Sequence, residues 1–430
     1  SNAGEMGTNL IIVVNDNEMS IAENHGGLYQ NLKELRDTEG RSSCNFFRSL
    51  GLDYLYVGEG NDIPSLIAAF AKVKDTSRPT VVHIHTQKGK GYAPAEADRE
   101  EFHWEMPFDL ETGKPKVDCS GMEDYHSLTG KFLLEKMKED HTVVAISSGT
   151  PTVIGFTPER RKQAGRQFVD VGIAEEHAVA LASGIAAGGG RPVYGVYSTF
   201  IQRCYDQLSQ DLCINGNPAV ITVFMGTVAG MNDVTHLGFF DIPLISNIPN
   251  MVYLAPTCSE EYFAMLEWAV RQTEYPVAIR VPGAAVVHRK EEFDTDYSEL
   301  NRYKMTARGE TVAILALGSF YDLGQALKNK LREESGVEAT LINPRYITGL
   351  DEPMLEELKV GHRIVVTLED GVLDGGFGEK IARYYGNSEM RVLNYGLRKE
   401  FADRYNLDEL MKANRLTDKQ MAEDIAGILG

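Results

Sequence analysis

The chain has 430 residues, of which 43 are lysine or arginine and 62 are aspartate or glutamate, so its formal charge is −19. A charge of this sign disfavours binding to nucleic acid through its phosphates. A hydrophobic content of 43% is ordinary for a soluble folded protein, and the length favours two or three domains over one.

Apolar runs and cysteines give two further expectations. The longest apolar runs, residues 10–14 and 179–187, are shorter than the roughly 18 residues that a membrane span needs. The five cysteines include no Cys-x-x-Cys pair, which argues against a disulfide framework and against a zinc site. We therefore expect a protein of the reducing cytoplasm. Residues 1–3 have the composition of a tag scar, and no signal peptide follows them. The cysteines are Cys44, Cys119, Cys204, Cys213 and Cys258.

The first predicted element is an apolar strand at residues 9–14, almost at the start of the chain. Such a strand is typical of the middle of a parallel sheet, so we expect the chain to begin partway through a domain. Strands at 53–57 and 80–86 then alternate with a helix at 63–73. This alternation predicts a parallel α/β sheet.

An aperiodic segment rich in proline and glycine, residues 102–124, separates this first unit from a second one. The second unit begins with a helix at 125–138 and closes near residue 281. A third unit runs from 311 to 430 and ends in a mostly helical tail. The predicted fold class is therefore α/β with three parallel or mixed sheets. The strands predicted for these two units are residues 142–147, 167–171, 192–196, 219–225, 311–317, 338–342 and 362–368.

Two polar segments in the first unit are candidates for binding. Residues 15–19, Asn-Asp-Asn-Glu-Met, follow the first strand, and their oxygen atoms suit Mg²⁺. A plain polar turn is the alternative. In residues 88–92, Lys-Gly-Lys-Gly-Tyr, glycines let the backbone approach an anion, although a flexible basic turn has the same composition. His103 suits proton transfer or a structural role.

The second unit carries further candidates at its strand ends. Glu175 and Glu176 open an alanine-rich helix, where acids complement the helix dipole. The competing interpretation is that Glu175 points into a cleft and exchanges a proton with a bound ring nitrogen. Tyr197 and Phe200 either stack on a flat cofactor or fill the core. His236 lies in a glycine-punctuated loop, where catalytic and ordinary surface histidines both occur.

Residues 369–371 and 375–378 in the third unit contain several glycines. Their spacing does not match the G-x-G-x-x-G fingerprint of dinucleotide-binding proteins. We interpret both as a loop that leads into a helix.

Four of these segments, taken in chain order, closely resemble the 1-deoxy-D-xylulose-5-phosphate synthase family of transketolase-type enzymes. They are residues 15–20, 88–98, 170–175 and 197–203. The resemblance covers nearly the whole chain and implies a thiamine-diphosphate-binding fold followed by a transketolase C-terminal domain. By family order, residues 4–106 resemble the end of the diphosphate-binding domain, 107–124 a linker, 125–285 the pyrimidine-binding domain, 286–305 a second linker and 306–430 the C-terminal domain.

The resemblance implies thiamine diphosphate and Mg²⁺ as cofactors. Asn17 and the carbonyl of Met19 would bind Mg²⁺, Glu175 would contact N1′ of the aminopyrimidine, and Phe200 would pack on that ring. In that position Glu175 would favour loss of the thiazolium C2 proton. The family then decarboxylates pyruvate and joins the remaining carbons to glyceraldehyde 3-phosphate.

The resemblance also implies a homodimer, a role in isoprenoid biosynthesis and the remaining site residues. Lys88 and Tyr197 would bind the cofactor, Tyr92, Tyr197 and Arg203 would face the substrate, and His103 and His236 would be catalytic.

Three departures from the family pattern leave alternatives open. The Gly-Asp-Gly motif that supplies a carboxylate to Mg²⁺ is absent, and so is an early substrate-facing histidine, so we expect this chain alone to bind its metal weakly. In residues 280–284, Arg-Val-Pro-Gly-Ala, Gly283 stands where an arginine grips the acceptor's phosphate. Met225 and Asn232 replace another arginine and an aspartate. The alternatives are a different, unphosphorylated acceptor or a non-catalytic assembly module.

Overall fold

The computed structural model describes residues 1–117, 121–283 and 285–429. Cys119 and Ala284, two residues of the sequence-based predictions, lie outside these ranges. The chain divides into a first unit, residues 1–122 and 170–173, and a second unit, residues 123–169 and 174–430. Within the described ranges, no helix has both the length and the apolar character that a bilayer crossing requires.

The first unit contains a parallel three-stranded sheet in the order β1-β3-β2. Successive side chains of the central strand point to opposite faces, so Val81 joins one core cluster and Val82 the other. Both are fully buried. The elements are β1 (Ile11–Asp16), β2 (Asp53–Val57), β3 (Thr80–His85), α1 (Asn2–Met6), α2 (Gly27–Asp37), α3 (Phe46–Ser49), α4 (Ile63–Val73), α5 (Ala93–Ala97) and a 3₁₀ turn, Glu101–His103.

The position of β1 differs from the prediction, because it lies at an edge of this sheet rather than in its middle. Its side chains are only partly buried, and Val13 is 47% exposed. Ile12 and Val14 pack against one core cluster and Ile11 against the other. The apolar residues of β1 therefore pack against a core cluster on each face of the sheet. Such a run does not show whether the strand lies at an edge or in the middle of the sheet.

A six-stranded sheet in the order β5-β4-β6-β7-β9-β8 follows. The pairs β4–β6, β6–β7, β7–β9 and β8–β9 are parallel, so the carboxyl ends of these strands share one edge. The strands are β4 (Val143–Ser147), β5 (Phe168–Asp170), β6 (Arg191–Tyr197), β7 (Val220–Phe224), β8 (Val252–Leu254) and β9 (Val277–Arg280). The helices are α6 (Tyr125–Glu139), α7 (Pro158–Ala164), α8 (Glu175–Ala187), α9 (Tyr205–Gln207), α10 (Asp241–Ser246) and α11 (Ser259–Arg271), with 3₁₀ turns at Pro151–Ile154, Gly165–Gln167 and Phe200–Cys204 and a π turn at Leu208–Cys213.

A five-stranded mixed sheet in the order β10-β12-β11-β13-β14 completes the second unit. Only β10 runs antiparallel to its neighbour. The strands are β10 (Lys304–Ala307), β11 (Thr311–Ala316), β12 (Thr340–Asn343), β13 (His362–Val372) and β14 (Arg391–Leu397). The helices are α12 (Tyr321–Ser335), α13 (Glu352–Gly361), α14 (Phe377–Tyr385), α15 (Leu407–Ala413) and α16 (Asp418–Leu429), with a 3₁₀ turn at Gly318–Phe320.

These three sheets confirm the predicted fold class, but two details of the third predicted unit were wrong. The tail is not mostly helical, because β14 forms an edge strand whose Asn394 and Gly396 interrupt the apolar pattern. Residues 369–371 belong to β13 rather than to a loop. Both carboxylate oxygens of Glu369 accept hydrogen bonds from the first backbone amides of α14, at 2.8 and 2.7 Å. This carboxylate therefore caps the helix that follows.

Candidate functional site

Five predicted site residues lie where neighbouring strands of the six-stranded sheet end. Tyr197 is the last residue of β6 and pairs in register with Phe224, the last residue of β7. Phe200 and Arg203 lie in the 3₁₀ turn after β6, and His236 lies in the loop after β7. Ligands of open α/β sheets bind at this edge, where the strands present their carboxyl ends.

Glu175 is the first residue of α8, and its side chain is 3% exposed. Arg203 Nη1 donates a hydrogen bond of 2.8 Å to Glu175 Oε1, and this bond raises the pKa of the guanidinium. The Arg203 side chain is 44% exposed, so a deep carboxylate is paired with an accessible cation. Among the contacts of the described residues, Oε2 of Glu175 has no hydrogen-bond partner and remains free to accept one.

Phe200 is surrounded by three of the other predicted residues. Its ring lies edge-on to Tyr197 at a centroid distance of 5.9 Å and to His236 at 5.4 Å. The guanidinium carbon of Arg203 lies 5.3 Å from the centre of the Phe200 ring. Burial raises the pKa of Tyr197, so its hydroxyl remains protonated at neutral pH. The structure therefore brings Glu175, Arg203 and three rings together in one cluster.

This cluster fits the aminopyrimidine of thiamine diphosphate. Such a ring needs an apolar surface and a buried acceptor for a ring nitrogen, and Phe200 with Glu175 Oε2 offers both. The fit concerns the pyrimidine ring alone.

The other five predicted residues lie in the first unit. Asn17 Oδ1 accepts a hydrogen bond of 3.1 Å from the Met19 amide, which folds the segment into a tight turn. Lys88 Nζ donates to the carbonyls of Ser20 at 2.8 Å and Ile21 at 3.3 Å. Burial lowers the pKa of Lys88. Lys88 therefore fastens the same segment that contains Asn17 and Met19.

Tyr92 and His103 lie beyond the lysine. The ring of Tyr92 contacts Phe102 and Phe108 at 5.7 and 5.9 Å, and its hydroxyl donates to the Leu110 carbonyl at 3.1 Å. Burial, together with the charge of Lys88, lowers the pKa of His103, which favours the neutral imidazole.

A complete metal site is not evident in the first unit. Asn17 Oδ1 and the Met19 carbonyl are hard oxygen donors, but both are neutral. The carboxylate of Asp16 is bound by Arg36 and, at 2.9 Å, by His83. No group of three or more His, Cys, Asp or Glu side chains within the described residues is placed to hold a metal ion. Magnesium bound here would therefore need diphosphate and water oxygens as its remaining ligands.

Two of the residues that depart from the family pattern, Gly283 and Met225, lie side by side. A Cβ added at Gly283 would lie 2.8 Å from Thr227 Cγ2 and 2.9 Å from Met225 Sδ, so these side chains fill the space beside the glycine. Met225 follows β7 with a φ of +57°, a left-handed conformation that is rare for a residue with a side chain. The Asn232 carbonyl accepts a 2.6 Å hydrogen bond from the Arg404 amide.

Sequence analysis missed a buried charge cluster beside this site. Arg280 at the end of β9 is 3% exposed, and it donates at 2.7 Å to Asp241 and also binds Asp370. Arg280 also donates at 3.2 Å to the carbonyl of Gly238, two residues beyond His236. A lone arginine ending an otherwise apolar strand was the available signal, because a buried guanidinium requires acidic partners.

Three family profiles match the chain. The transketolase pyrimidine-binding domain matches residues 123–286, the transketolase C-terminal domain matches 302–421, and 1-deoxy-D-xylulose-5-phosphate synthase matches 1–45. The 1-deoxy-D-xylulose-5-phosphate synthase of Lachnoclostridium phytofermentans is 33% identical over 97% of this chain and 73% of its own length. The same enzyme of Clostridium tetani is 32% identical over 100% of this chain and 74% of its own length.

Solved transketolase structures share the fold. A Pichia stipitis transketolase in complex with sedoheptulose 7-phosphate gives a TM-score of 0.59 at 15% identity, over 99% of this chain and 73% of the other. A chain described as a split gene transketolase, inactive beta4 tetramer, gives 0.59 at 20% identity, over 70% of this chain and 96% of the other. At these identities the likeness concerns the fold alone.

Proposed function

Because the chain belongs to the 1-deoxy-D-xylulose-5-phosphate synthase family, as its motifs predicted, we propose that it joins pyruvate to an aldehyde with loss of CO₂. The enzyme is a transferase of the transketolase type that uses thiamine diphosphate. Bound thiamine diphosphate supplies the carbon nucleophile and the electron sink for this chemistry. In the family the aldehyde is glyceraldehyde 3-phosphate.

The observation that carries this proposal is that Arg203 contacts both the buried carboxylate of Glu175 and the ring of Phe200. Glu175 is assigned to N1′ of the aminopyrimidine, and its role is to hold a proton at that nitrogen. Phe200 would pack on the pyrimidine, and Tyr197 supports the Phe200 ring at a centroid distance of 5.9 Å. His236 faces the substrate and moves a proton, while Arg203 holds the Glu175 carboxylate in place through its 2.8 Å hydrogen bond.

The residues of the first unit have supporting roles in the same proposal. Asn17 and the Met19 carbonyl are assigned to Mg²⁺, and Lys88, which fastens their segment, to the cofactor's diphosphate. Tyr92 is assigned to the substrate. His103 is assigned to proton transfer, for which a neutral imidazole can act as the base.

The domain limits, assembly and location belong to the proposal as well. We assign residues 4–106 to the diphosphate-binding domain, 125–285 to the pyrimidine-binding domain and 306–430 to the C-terminal domain, with linkers at 107–124 and 286–305. We further propose a homodimer with a role in cytoplasmic isoprenoid biosynthesis. The four described cysteines are free thiols, which suits a reducing compartment.

Substitution of Glu175 tests the proposal. In Glu175→Gln, we expect pyruvate decarboxylation to fall about 100-fold or more, because an amide does not hold the N1′ proton as a carboxylate does. Glu176 is the matched control, since it occupies the same helical turn but is exposed. Glu176→Gln should retain the activity of the parent chain. Thiamine diphosphate binding with Mg²⁺ is measured in parallel by calorimetry.

The outcomes separate the candidate functions. Equal activity in the two variants would contradict the role of Glu175. Failure of the parent chain to bind thiamine diphosphate at millimolar concentration would instead favour the non-catalytic module.

A second candidate function, carboligation to an aldehyde without phosphate, is favoured by the contact of Gly283 with Met225. The side chains of Met225 and Thr227 occupy the volume that a longer side chain at position 283 would need. Arg280 cannot replace the missing cation, because its guanidinium is buried and bound by two carboxylates. The surface formed by these residues is therefore apolar where a phosphate would need charge-assisted hydrogen bonds.

Acceptor competition distinguishes the two candidates. We expect kcat/KM for glyceraldehyde 3-phosphate to exceed that for glyceraldehyde by less than about tenfold, because no arginine at 225 or 283 contributes the roughly 1.5–3 kcal/mol of a charged hydrogen bond. Met225→Arg should raise the preference for the phosphorylated aldehyde about tenfold and leave glyceraldehyde unchanged. A preference above about 100-fold in the parent chain would exclude the second candidate.

A further inference from the structure

His236 has an acidic neighbour three residues before it, Asp233, to which neither motifs nor family resemblance assigned a role. His236 Nδ1 lies 3.0 Å from Asp233 Oδ1 and 2.8 Å from Thr235 Oγ1. The backbone amide of His236 also donates at 3.0 Å to the Asp233 carbonyl. The imidazole is therefore held to Asp233 through both its ring and its main chain.

The donors around Asp233 determine which nitrogen of His236 carries the proton. Asp233 Oδ1 accepts from the Thr235 amide at 3.1 Å and from the Thr235 hydroxyl. The single hydroxyl hydrogen of Thr235 is thereby used, so Thr235 Oγ1 can only accept from the histidine. Both atoms facing Nδ1 are then acceptors, and neutral His236 must carry its hydrogen on Nδ1. Its Nε2 remains a lone-pair acceptor.

The segment that holds this pair is anchored from two sides. Thr199 Oγ1 donates at 3.1 Å to the Thr235 carbonyl, which ties the segment to the turn that contains Phe200. On the other side, the Val234 amide donates at 3.1 Å to Asp403 Oδ1, and Asn232 Nδ2 donates at 3.0 Å to the Tyr405 carbonyl. Asp233 thus has a fixed frame from which to orient the imidazole.

From this geometry we propose that Asp233 is a positioning residue that holds His236 in the Nδ1–H tautomer and directs Nε2 toward the substrate. The proposal rests on the proposed function for the role of His236 but not for the tautomer. The family pattern has an aspartate at position 232, where this chain has Asn232. In this chain the carboxylate of the loop is that of Asp233, and it contacts His236.

The role of this pair in the reaction is proton delivery. When the new carbon–carbon bond forms, the two electrons of the aldehyde π bond move to its oxygen, which must then gain a proton. Protonated His236 gives the Nε2 proton to that oxygen and keeps its Nδ1 hydrogen on Asp233. Solvent returns a proton to Nε2. The carboxylate of Asp233 keeps the ring oriented during the transfer, as a carboxylate does beside other catalytic histidines.

The surroundings of the pair keep Asp233 ionised. Burial by itself would raise the pKa of Asp233, but hydrogen bonds from Thr235 and His236 lower it below its ordinary value. The other charged groups in contact with these elements are Arg203, over the ring of Phe200, and Asp403, on the Val234 amide. Neither forms an ion pair with His236 among the described residues.

Nitrogen NMR of ¹⁵N-histidine-labelled full chain tests the proposal without cofactor or substrate. We expect Nδ1–H in the parent chain and in Asp233→Asn, which keeps Oδ1. In Asp233→Ala the freed Thr235 hydroxyl can donate to Nδ1, so the Nε2–H form should become the major tautomer. Asp403→Ala removes a carboxylate that binds the Val234 amide but does not touch the ring, and this variant should keep Nδ1–H. Thermal melting confirms that each variant is folded.

Two results would overturn the proposal: an Nε2–H majority in the parent chain, or unchanged Nδ1–H in Asp233→Ala. With pyruvate and an aldehyde, Asp233→Ala should lower kcat about tenfold and leave the acceptor KM within about twofold. Absence of turnover in the parent chain would contradict the proposed function, whereas the NMR result would still decide the role of Asp233.

Discussion

At the scale of single residues, the polar segment after β1 illustrates how neighbours in sequence take different roles. Asp16 and Asn17 both have side-chain oxygens that suit a metal. The structure buries Asp16, whose carboxylate contacts Arg36 and the ring of His83 at 2.9 Å. Burial alone would raise the pKa of Asp16, but the hydrogen bonds from His83 and Arg36 lower it to about 2. Asp16 is therefore a structural anion of the first unit.

This depressed pKa predicts how stability depends on pH. The carboxylate contributes fully above its unfolded pKa near 3.8, and the contribution disappears as pH falls toward 2. We expect Asp16→Asn to lower the free energy of unfolding by about 2 kcal/mol at pH 5, where the Asp16 carboxylate of the parent chain is ionised. Urea unfolding at pH 5, 4, 3 and 2 measures the difference between the parent and the variant.

The difference in the free energy of unfolding between the parent chain and Asp16→Asn should shrink steadily below pH 4. Asp37→Asn is the control, because Asp37 is exposed and its ion pair among the described residues is with Lys33 in the same helix. A difference between parent and Asp16→Asn that stays constant from pH 5 to pH 2 would contradict the assignment.

At the scale of elements, one arginine connects parts of two sheets. Arg280 ends β9 of the six-stranded sheet, Asp370 lies in β13 of the five-stranded sheet, and Asp241 begins α10. All three are at most 3% exposed. Asp241 accepts from Arg280 at 2.7 and 3.2 Å, a bidentate geometry that suits a guanidinium. The three charges satisfy one another, so removing one leaves the others uncompensated.

We therefore expect Arg280→Met to destabilise the second unit by about 3–5 kcal/mol, because two buried carboxylates lose their cation. Arg308→Met is the matched control, since Arg308 pairs with Glu357 at the surface and is 71% exposed. That control should change stability by less than about 1 kcal/mol. Chemical denaturation followed by circular dichroism measures both. If Arg280→Met lowered the free energy of unfolding by less than about 1 kcal/mol, the prediction would be wrong, and water or a rearrangement would compensate the two carboxylates.

At the scale of the whole molecule, the predicted site residues fall into two sets, one in each unit. The second unit brings Glu175, Tyr197, Phe200, Arg203 and His236 into one cluster. The first unit gathers Asn17, Met19 and Lys88 along one segment. Each set is linked by its own hydrogen bonds and ring contacts, so the chemistry assigned to each unit can be tested by substitution within that unit.

The sequence by itself determined the class of fold and the family, and it predicted which residues form the site. Alternating strand and helix patterns predicted three α/β sheets, because the periodicities of 2 and 3.6 residues are local properties of the chain. The motifs around Asn17, Lys88, Glu175 and Tyr197 identified the family for the same reason, since each is a contiguous segment.

Tertiary structure alone decided which residues satisfy one another. Local patterns predict neither the edge position of β1 nor the strand β14, because pairing depends on distant segments. The contact of Arg203 with Glu175 spans 28 positions and that of Arg280 with Asp370 spans 90. Which acid pairs with a buried arginine depends on the groups that are buried beside it, and these come together only when the chain folds. For Asp233 and His236 the spacing was visible in the sequence, but the tautomer that we propose for His236 depends on the hydrogen bond that Thr235 donates to Asp233 in the folded loop.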